Sequence, residues 1–313
     1  MRRSSLGPLI KAKETLKVFA RSAPSPRTLW ANRNQHFEQL HAILPSTATP
    51  GEPLQVTLQA WDQCERLIEG FEGSVTIDAT DPDADHPASV SFDPADDGLL
   101  TVPDITFNTA GTHFLTFTYD GQRFVANPVL VADDHDQHIY WGDIHLHSNF
   151  SDGTSQAEAG YRFGRDVMAL DVVAYTDHDT MGFFIPPKWQ RDRMQREYFD
   201  RLCAIADEFN DDGTFVTLPA YEWTKQPNMG GHVNVYFEDA DDAFLFDSLA
   251  TDSRTYEQLW TRLREWDHDH DSGVVTVPHH PAEAMYPFDF DAVDFDDEFA
   301  PLVEVYSQWG SSE

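Results

Sequence analysis

From Leu54 to Ala60 the chain is apolar at every second position, the period of a half-buried β-strand. Similar short runs follow at Ser74–Ile77, Leu99–Val102, Thr112–Tyr119 and Phe124–Val131. Asp120-Gly121 sits between the last two, a strong signal for a tight hairpin. Short strands at this spacing, with no long helical pattern among them, predict an Ig-like β-sandwich over residues 41–132. The segment from Ala110-Gly111-Thr112 to Asn127-Pro128 resembles the closing hairpin of immunoglobulin-like domains.

After the acidic linker Ala132–His138 the period changes. Ser155–Met168, Lys188–Phe209 and Tyr256–Trp266 carry apolar residues at helical spacing. Between them lie short apolar runs that predict strands: Ile139–Ile144, Asp171–Tyr175, Phe215–Ala220, His232–Phe237, Val274–Val277 and Leu302–Tyr306. Strands alternating with helices predict an α/β domain over residues 133–313 built on a mainly parallel sheet or barrel. In such folds chemistry gathers at the C-terminal ends of strands. Residues 1–40 are read as an N-terminal arm, partly helical or disordered.

Length and composition sharpen this picture. At 313 residues the chain exceeds the usual size of one core, so two domains are expected. The 54 acidic residues against 21 basic ones give a formal net charge of −33, spread along the chain rather than gathered in one tail. With few lysines, this pattern predicts a halophilic, cytoplasmic protein with an acidic surface. Such a surface repels phosphate backbones and argues against nucleic acid as a partner. Cys64 and Cys203 lie far apart and imply no disulfide framework. No stretch approaches the roughly 20 apolar residues of a membrane span, so no membrane association is expected.

The polar residues fall where the α/β rule puts them. The first predicted strand runs into Asp143-Ile144-His145-Leu146-His147, followed by Ser151-Asp152-Gly153. Residues two apart on an extended chain share a face, so His145 and His147 can hold one cation together. The next strands lead into Thr176-Asp177-His178-Asp179, Ala220-Tyr221-Glu222-Trp223, Gly231-His232 and Pro278-His279-His280-Pro281. Imidazole with carboxylate suits Zn, Mn or Fe, and the lack of cysteine ligands favours a catalytic over a structural site. His135, His138, His268 and His270 lie in the linker or at a polar helix end and are assigned to solvent.

Taken in order, His145-Leu-His147 with Ser151-Asp152-Gly153, Thr176-Asp177-His178, Glu222, His232 and His280-Pro281 resemble the polymerase-and-histidinol-phosphatase (PHP) superfamily of metal-dependent hydrolases. Trp141-Gly142-Asp143, Glu222-Trp223 and Val303-Glu304-Val305-Tyr306-Ser307 resemble its DUF3604 branch, in which a β-sandwich precedes the PHP domain. The resemblance covers roughly Tyr140 to Glu313. It implies a distorted (β/α)7 barrel with two or three divalent ions and a phosphoesterase activity that uses them to activate water. On this resemblance His145 and His147 bind the first metal, Glu222 bridges two, and Asp152, His178, His232 and His280 serve the others. Asp177 then orients His178 from outside, His279 is a supporting donor beside the ligands, and Glu304 faces the site or its substrate. The family's late Asp-x-His motif does not follow Glu304, which predicts a barrel incomplete at its C-terminus and leaves the activity of the isolated chain open.

The expected substrate is a phosphate ester or other small molecule. Arg162, Arg165, Lys188 and Lys225 are the cations available to bind it. Two other readings are kept. An amidohydrolase-type barrel also begins with His-x-His, but its middle strand often ends in a bridging lysine where this chain has Glu222. A truncated binding module without activity is the non-enzymatic reading. Oligomeric state is not readable from the sequence.

Overall fold

The computed structural model describes residues 35–181, 185–226, 231–270, 272–281, 287–307 and 310–311. Most of the N-terminal arm lies outside the described residues. The chain divides into two compact units, with the boundary between Trp141 and Gly142, past the acidic linker. The β-rich unit runs to Trp141 and also takes in Phe163–Leu170, and the second unit comprises Gly142–Arg162 and the chain from Asp171 onward.

The β-rich unit is made of β1 (Phe37–Ile43), β2 (Thr47–Ala48), β3 (Leu54–Asp62), β4 (Gly73–Ala79), β5 (Ser89–Phe92), β6 (Leu99–Ile105), β7 (Gly111–His113), β8 (Leu115–Tyr119), β9 (Gln122–Val125) and β10 (Val129–Val131). Two antiparallel sheets, β1-β3-β6 and β5-β4-β8-β9, are joined by a small third one, β2-β10-β7. The period-two pattern explains the packing. Val56 and Leu58 of β3 share one buried cluster with Val102 of β6, Val75 and Ile77 of β4, and Leu115 and Phe117 of β8. Asp120 and Gly121 connect β8 to β9 with φ of 48° and 75°, the two left-handed residues that a type I′ turn requires.

Buried Asp81 fastens a loop of this unit. Its carboxylate accepts hydrogen bonds from the backbone N–H of Asp83 (3.0 Å), Asn108 (2.7 Å) and Thr109 (3.0 Å) and from the Thr109 hydroxyl (2.7 Å). Burial opposes the charge, but these donors outweigh it and lower the pKa to about 2. A depressed carboxylate contributes stability that is present above its ordinary pKa of 3.8 and fades as pH falls toward 2. Asp81→Ala is expected to destabilise this unit by about 2 kcal/mol at neutral pH, because it leaves several N–H donors without their acceptor. Thermal melts at pH 7 and pH 3 test this: the deficit of the variant should shrink on acidification.

The second unit contains β11 (Gly142–Leu146), α1 (Ala157–Arg162), β12 (Val172–Tyr175), α2 (Pro187–Arg193), α3 (Phe199–Phe209), β13 (Val216–Leu218), β14 (Ala220–Trp223), β15 (Val233–Phe237), α4 (Tyr256–Asp269), β16 (Val274–Pro278), β17 (Tyr306–Ser307) and β18 (Gly310–Ser311). The helix predicted over Ser155–Met168 is shorter than expected, because Phe163–Val167 opens into a wider π-type turn. A second π-type turn, Met194–Tyr198, separates α2 from α3. The amphipathic spacing of α3 buries Leu202, Cys203, Ile205, Ala206 and Phe209. Helix α4 is capped by Thr255, whose hydroxyl accepts from the Gln258 N–H at 3.2 Å. Among the described residues no helix is long and apolar enough to cross a membrane.

The sheet corrects the predicted fold class. Among the described residues the molecule is mostly β, and its strands do not close into a (β/α)7 barrel. In the second unit β11-β12-β13 is parallel, but β14-β15-β16 is antiparallel. The reason lies in the connection. Trp223 to Val233 is shorter than the dozen or so residues of a crossover, so β15 must return antiparallel to β14. The strand predicted over Leu302–Tyr306 is also corrected: residues 301–305 are irregular, and only Tyr306–Ser307 pairs, with Gly310–Ser311.

Candidate metal centre

The antiparallel return of β15 is what assembles the site. It puts the first end of β15 beside the last ends of β14 and β16. His232, which precedes β15, therefore meets His279, which follows β16: the His279 N–H donates to the His232 carbonyl at 3.2 Å. On the other side, residues after β12 pair with β14. The Glu222 N–H donates to Asp177 O (3.0 Å) and the Asp179 N–H to Glu222 O (3.0 Å), which sets His178 beside Glu222. The ladder of β11 with β12 shifts register between Asp143 and Leu146. Such irregularities re-aim side chains, and here His145 and His147 come together with ring centroids 5.3 Å apart.

Glu222 stands at the middle, 1 % exposed. Its Oε2 lies 3.4 Å from His145 Nε2 and 3.1 Å from His147 Nε2. Its Oε1 lies 3.3 Å from His178 Nδ1 and 3.3 Å from His279 Nε2, and it contacts His232 Nδ1. Asp152 adds a second carboxylate, 3.2 Å from His147 Nδ1 and 3.7 Å from His178 Nε2. Glu304 adds a third, 2.6 Å from His145 Nδ1. His280 follows at a backbone φ of 63°, its ring 4.3 Å from that of His279 and 5.9 Å from that of His232.

The electrostatics follow from this crowding. Burial alone would raise the pKa of Glu222, but His178, His232 and His279 hold it well below the ordinary carboxylate range. Burial would lower His145, yet Glu222 and Glu304 raise it to about 9. His178 is likewise raised, against burial, by Glu222 and Asp152. Asp152 is lowered to about 2, chiefly by His178 acting against burial. The far rings behave oppositely: burial lowers His279 to about 4 and His280 to about 2, and it lowers His232 as well. One pocket thus holds imidazoles that attract protons and imidazoles that refuse them.

All seven sequence-predicted ligands, His145, His147, Asp152, His178, Glu222, His232 and His280, converge in this pocket. Their donor atoms form overlapping groups of three, each within 4.8 Å: His145–His147–Glu222, His147–Asp152–His178, His178–Glu222–His232 and His232–His279–His280. His279 and Glu304 also form such a group with His145. His279 was expected as a supporting donor, yet its ring is fully buried and neither nitrogen makes a hydrogen bond. Nδ1 has no partner and Nε2 only its 3.3 Å contact with Glu222; such burial is unfavourable, and a cation taking a lone pair would remove the penalty. The donor set therefore fits divalent metal. Asp177 acts otherwise than expected. Its carboxylate accepts from the Ser148 N–H (3.0 Å), the Ser148 hydroxyl (2.7 Å) and the Ser151 hydroxyl (2.5 Å), so it holds the loop that carries Asp152.

The candidate substrate cations are placed less tellingly. Lys225 is half-buried over the Tyr256 ring, 4.0 Å from its centroid, and burial lowers its pKa. Arg162 lies over Phe209, Arg165 pairs with Asp166, and Lys188 is exposed on α2. Of the histidines assigned to solvent, His270 instead stacks on Trp266 at 4.6 Å and bonds its carbonyl oxygen. Sequence reasoning passed over Thr224, whose hydroxyl meets His178 Nδ1 at 2.7 Å, and over two glycines. A Cβ on Gly153 would lie 1.9 Å from His147 O, and one on Gly231 would lie 2.3 Å from Phe288 Cβ. Their place beside Asp152 and His232 in the motifs was the available signal.

Residues 161–301 match the family model described as "Protein of unknown function (DUF3604)", so a DUF3604 domain is present in this chain. An uncharacterized protein of Chlamydia pneumoniae is 22% identical over 219 residues, which is 69% of this chain and 32% of that protein. One of Chlamydia muridarum is 20% identical over 285 residues, 90% of this chain and 42% of that protein. The chain thus spans well under half the length of these relatives. Among solved structures, domains 4 and 5 of the S-layer protein SbsC share 14% identity at a TM-score of 0.25, covering 32% of this chain and 54% of that one. The D00-D0 domain of intimin gives 14% identity and a TM-score of 0.25, covering 32% and 51%.

Proposed function

We propose that this DUF3604 domain carries a PHP-like polynuclear metal centre and that the protein is a metal-dependent phosphoric ester hydrolase. The observation that supports this most is Glu222, one buried carboxylate with imidazole nitrogens gathered on both of its oxygens. On this reading Glu222 bridges two subsites. His145 and His147 serve one with its Oε2, and His232 serves the other with its Oε1, while His178 stands between Glu222 and Asp152. Asp152 and His280 extend the set, with His279 beside His280 as a further donor. Zn, Mn or Fe held there would supply Lewis acidity toward a phosphoryl oxygen and bring the pKa of a water to near 7. The residues' own part is to present fixed carboxylates around buried Glu222 and imidazoles, of which His145 and His178 give up a proton when a cation binds.

The raised pKa of His145 makes this reading testable through protons. Below about pH 9 its ring is protonated, so a cation that binds it must displace a proton. Metal affinity is expected to rise with pH between 6 and 9, by up to about tenfold per unit for each proton released. Equilibrium dialysis with Zn and Mn, read by elemental analysis, measures this. An aryl phosphate should be hydrolysed by the loaded protein, and a chelator should stop the reaction. A protein that stays metal-free at pH 8 with excess Zn, Mn and Fe would refute the reading.

A further inference from the structure

The His178 ring can face the centre in two ways. Its Nε2 points to Asp152 at 3.7 Å, within the His147–Asp152–His178 group. Its Nδ1 lies 3.3 Å from Glu222 Oε1, which would let it serve the Glu222–His232 group instead. A single ring can ligate a cation through only one nitrogen while the other keeps its proton, so the choice decides which subsite His178 belongs to.

Thr224 settles the choice. Its hydroxyl lies 3.2 Å from the Glu222 carbonyl oxygen, which can only accept, so turning the hydroxyl proton there and the Nδ1 proton toward Thr224 makes a hydrogen bond of each contact, whereas the reverse arrangement leaves one unmade. The same oxygen is 2.7 Å from His178 Nδ1, closer than Glu222 Oε1 is. With its own hydrogen already directed at a carbonyl, Thr224 Oγ1 must accept, and Nδ1 must therefore carry the proton. The hydroxyl is held in this role from behind. The Thr224 N–H donates to Asp179 Oδ1 at 2.8 Å, and Asp179 Oδ2 accepts from the Ser248 N–H at 2.6 Å. Thr224 and Asp179 are both fully buried, so water does not compete for these bonds.

We propose that Thr224 is a positioning residue that locks His178 with its proton on Nδ1, leaving Nε2 to the His147–Asp152 subsite. This deepens the metal-centre reading, but its main test needs no metal. A histidine that binds metal through one nitrogen needs a partner for the other, and loss of such a partner typically weakens affinity by about 10- to 100-fold. Asp179 acts one step further out, fixing the backbone from which the hydroxyl projects.

The test is NMR of the ring ¹⁵N–¹H groups of His178 in the full chain, first without metal. A hydrogen-bonded Nδ1–H that exchanges slowly, with Nε2 the nitrogen that gives up its proton as the pH is raised, is expected in the wild type and in Thr224→Ser, and the protected Nδ1–H should be lost in Thr224→Val. With Zn added, wild type and Thr224→Ser should keep the Nδ1–H while the Nε2 resonance shifts, and Thr224→Val should bind Zn about 10- to 100-fold more weakly. Should Thr224→Val fail to fold, the wild-type spectrum decides alone. A wild-type His178 without a protected Nδ1–H, or with Zn on Nδ1, overturns the inference. So does a Thr224→Val that folds and binds Zn as the wild type does. Failure of the wild type to bind any metal would instead strike at the hydrolase reading, leaving the metal-free spectrum to judge Thr224.

Discussion

Glu222→Gln is expected to lower metal affinity by more than about 100-fold, since even outer partners of metal ligands account for 10- to 100-fold. The substitution keeps the size of the side chain and its place on β14 but removes the charge. Glu222 is the carboxylate that His145, His147, His178, His232 and His279 share. An amide in its place offers one weakly basic oxygen, which cannot serve both subsites, and an NH2 group aimed at ring nitrogens that also need to accept. Hydrolysis of an aryl phosphate should fall by about a thousandfold, the rate equivalent of several kcal/mol of lost Lewis-acid stabilisation. A second effect separates loss of charge from loss of fold. Glu222 helps to raise His145 and His178, so both rings should titrate at lower pH in the variant, which NMR can follow in metal-free protein. Unchanged metal stoichiometry with unchanged histidine titration would show that Glu222 is not the hub.

The sequence made the site easier to read than the scaffold. Ligand-type residues at strand ends carry their chemistry in their identity, so His145, His147, His178, Glu222 and His280 could be named without knowing strand direction. Strand direction itself was not legible. An apolar run such as Val233–Phe237 reads the same whichever way it is paired, and every one of its residues is buried. What distinguished the antiparallel sheet was the short connection between Trp223 and Val233, a feature of length rather than of side chains. Strands β1 and β5 also went unread. β1 lies where the chain was taken for an arm, and Ser89–Phe92 is too short to show a period. Partners were the least legible. Asp177 next to His178 suggested that it orients that ring, but adjacent residues on a strand point to opposite faces. Its carboxylate turns to Ser148 and Ser151 instead, and the ring is met by Thr224, the residue after β14. Such pairs depend on register, which no local pattern encodes.

Gly153→Ala is expected to damage both the fold of the site and its metal binding. The added methyl would sit 1.9 Å from His147 O, 2.5 Å from His147 C and 2.9 Å from Ser148 C. These are backbone atoms and cannot swing aside as the end of a side chain could. The turn they belong to is closed by the Gly153 N–H donating to Ser148 O at 3.0 Å and pinned by Asp177 on Ser148 and Ser151. Relief must come from opening this turn, at about 1–3 kcal/mol or more for an overpacked position. Asp152 rides on the same turn, between the pinned Ser151 and Gly153. Opening it carries Asp152 away from His147 and His178, and that subsite should empty. Asp152→Asn provides the contrast. Asp152 is half exposed, so its replacement should empty the same subsite with little change in melting temperature. Metal stoichiometry and thermal melts on the two variants therefore divide cleanly: both should lose about one ion, but only Gly153→Ala should also melt several degrees lower. A Gly153→Ala protein with wild-type melting and full metal content would mean that the turn tolerates a methyl, and that the tight loop is not what aims Asp152 at the centre.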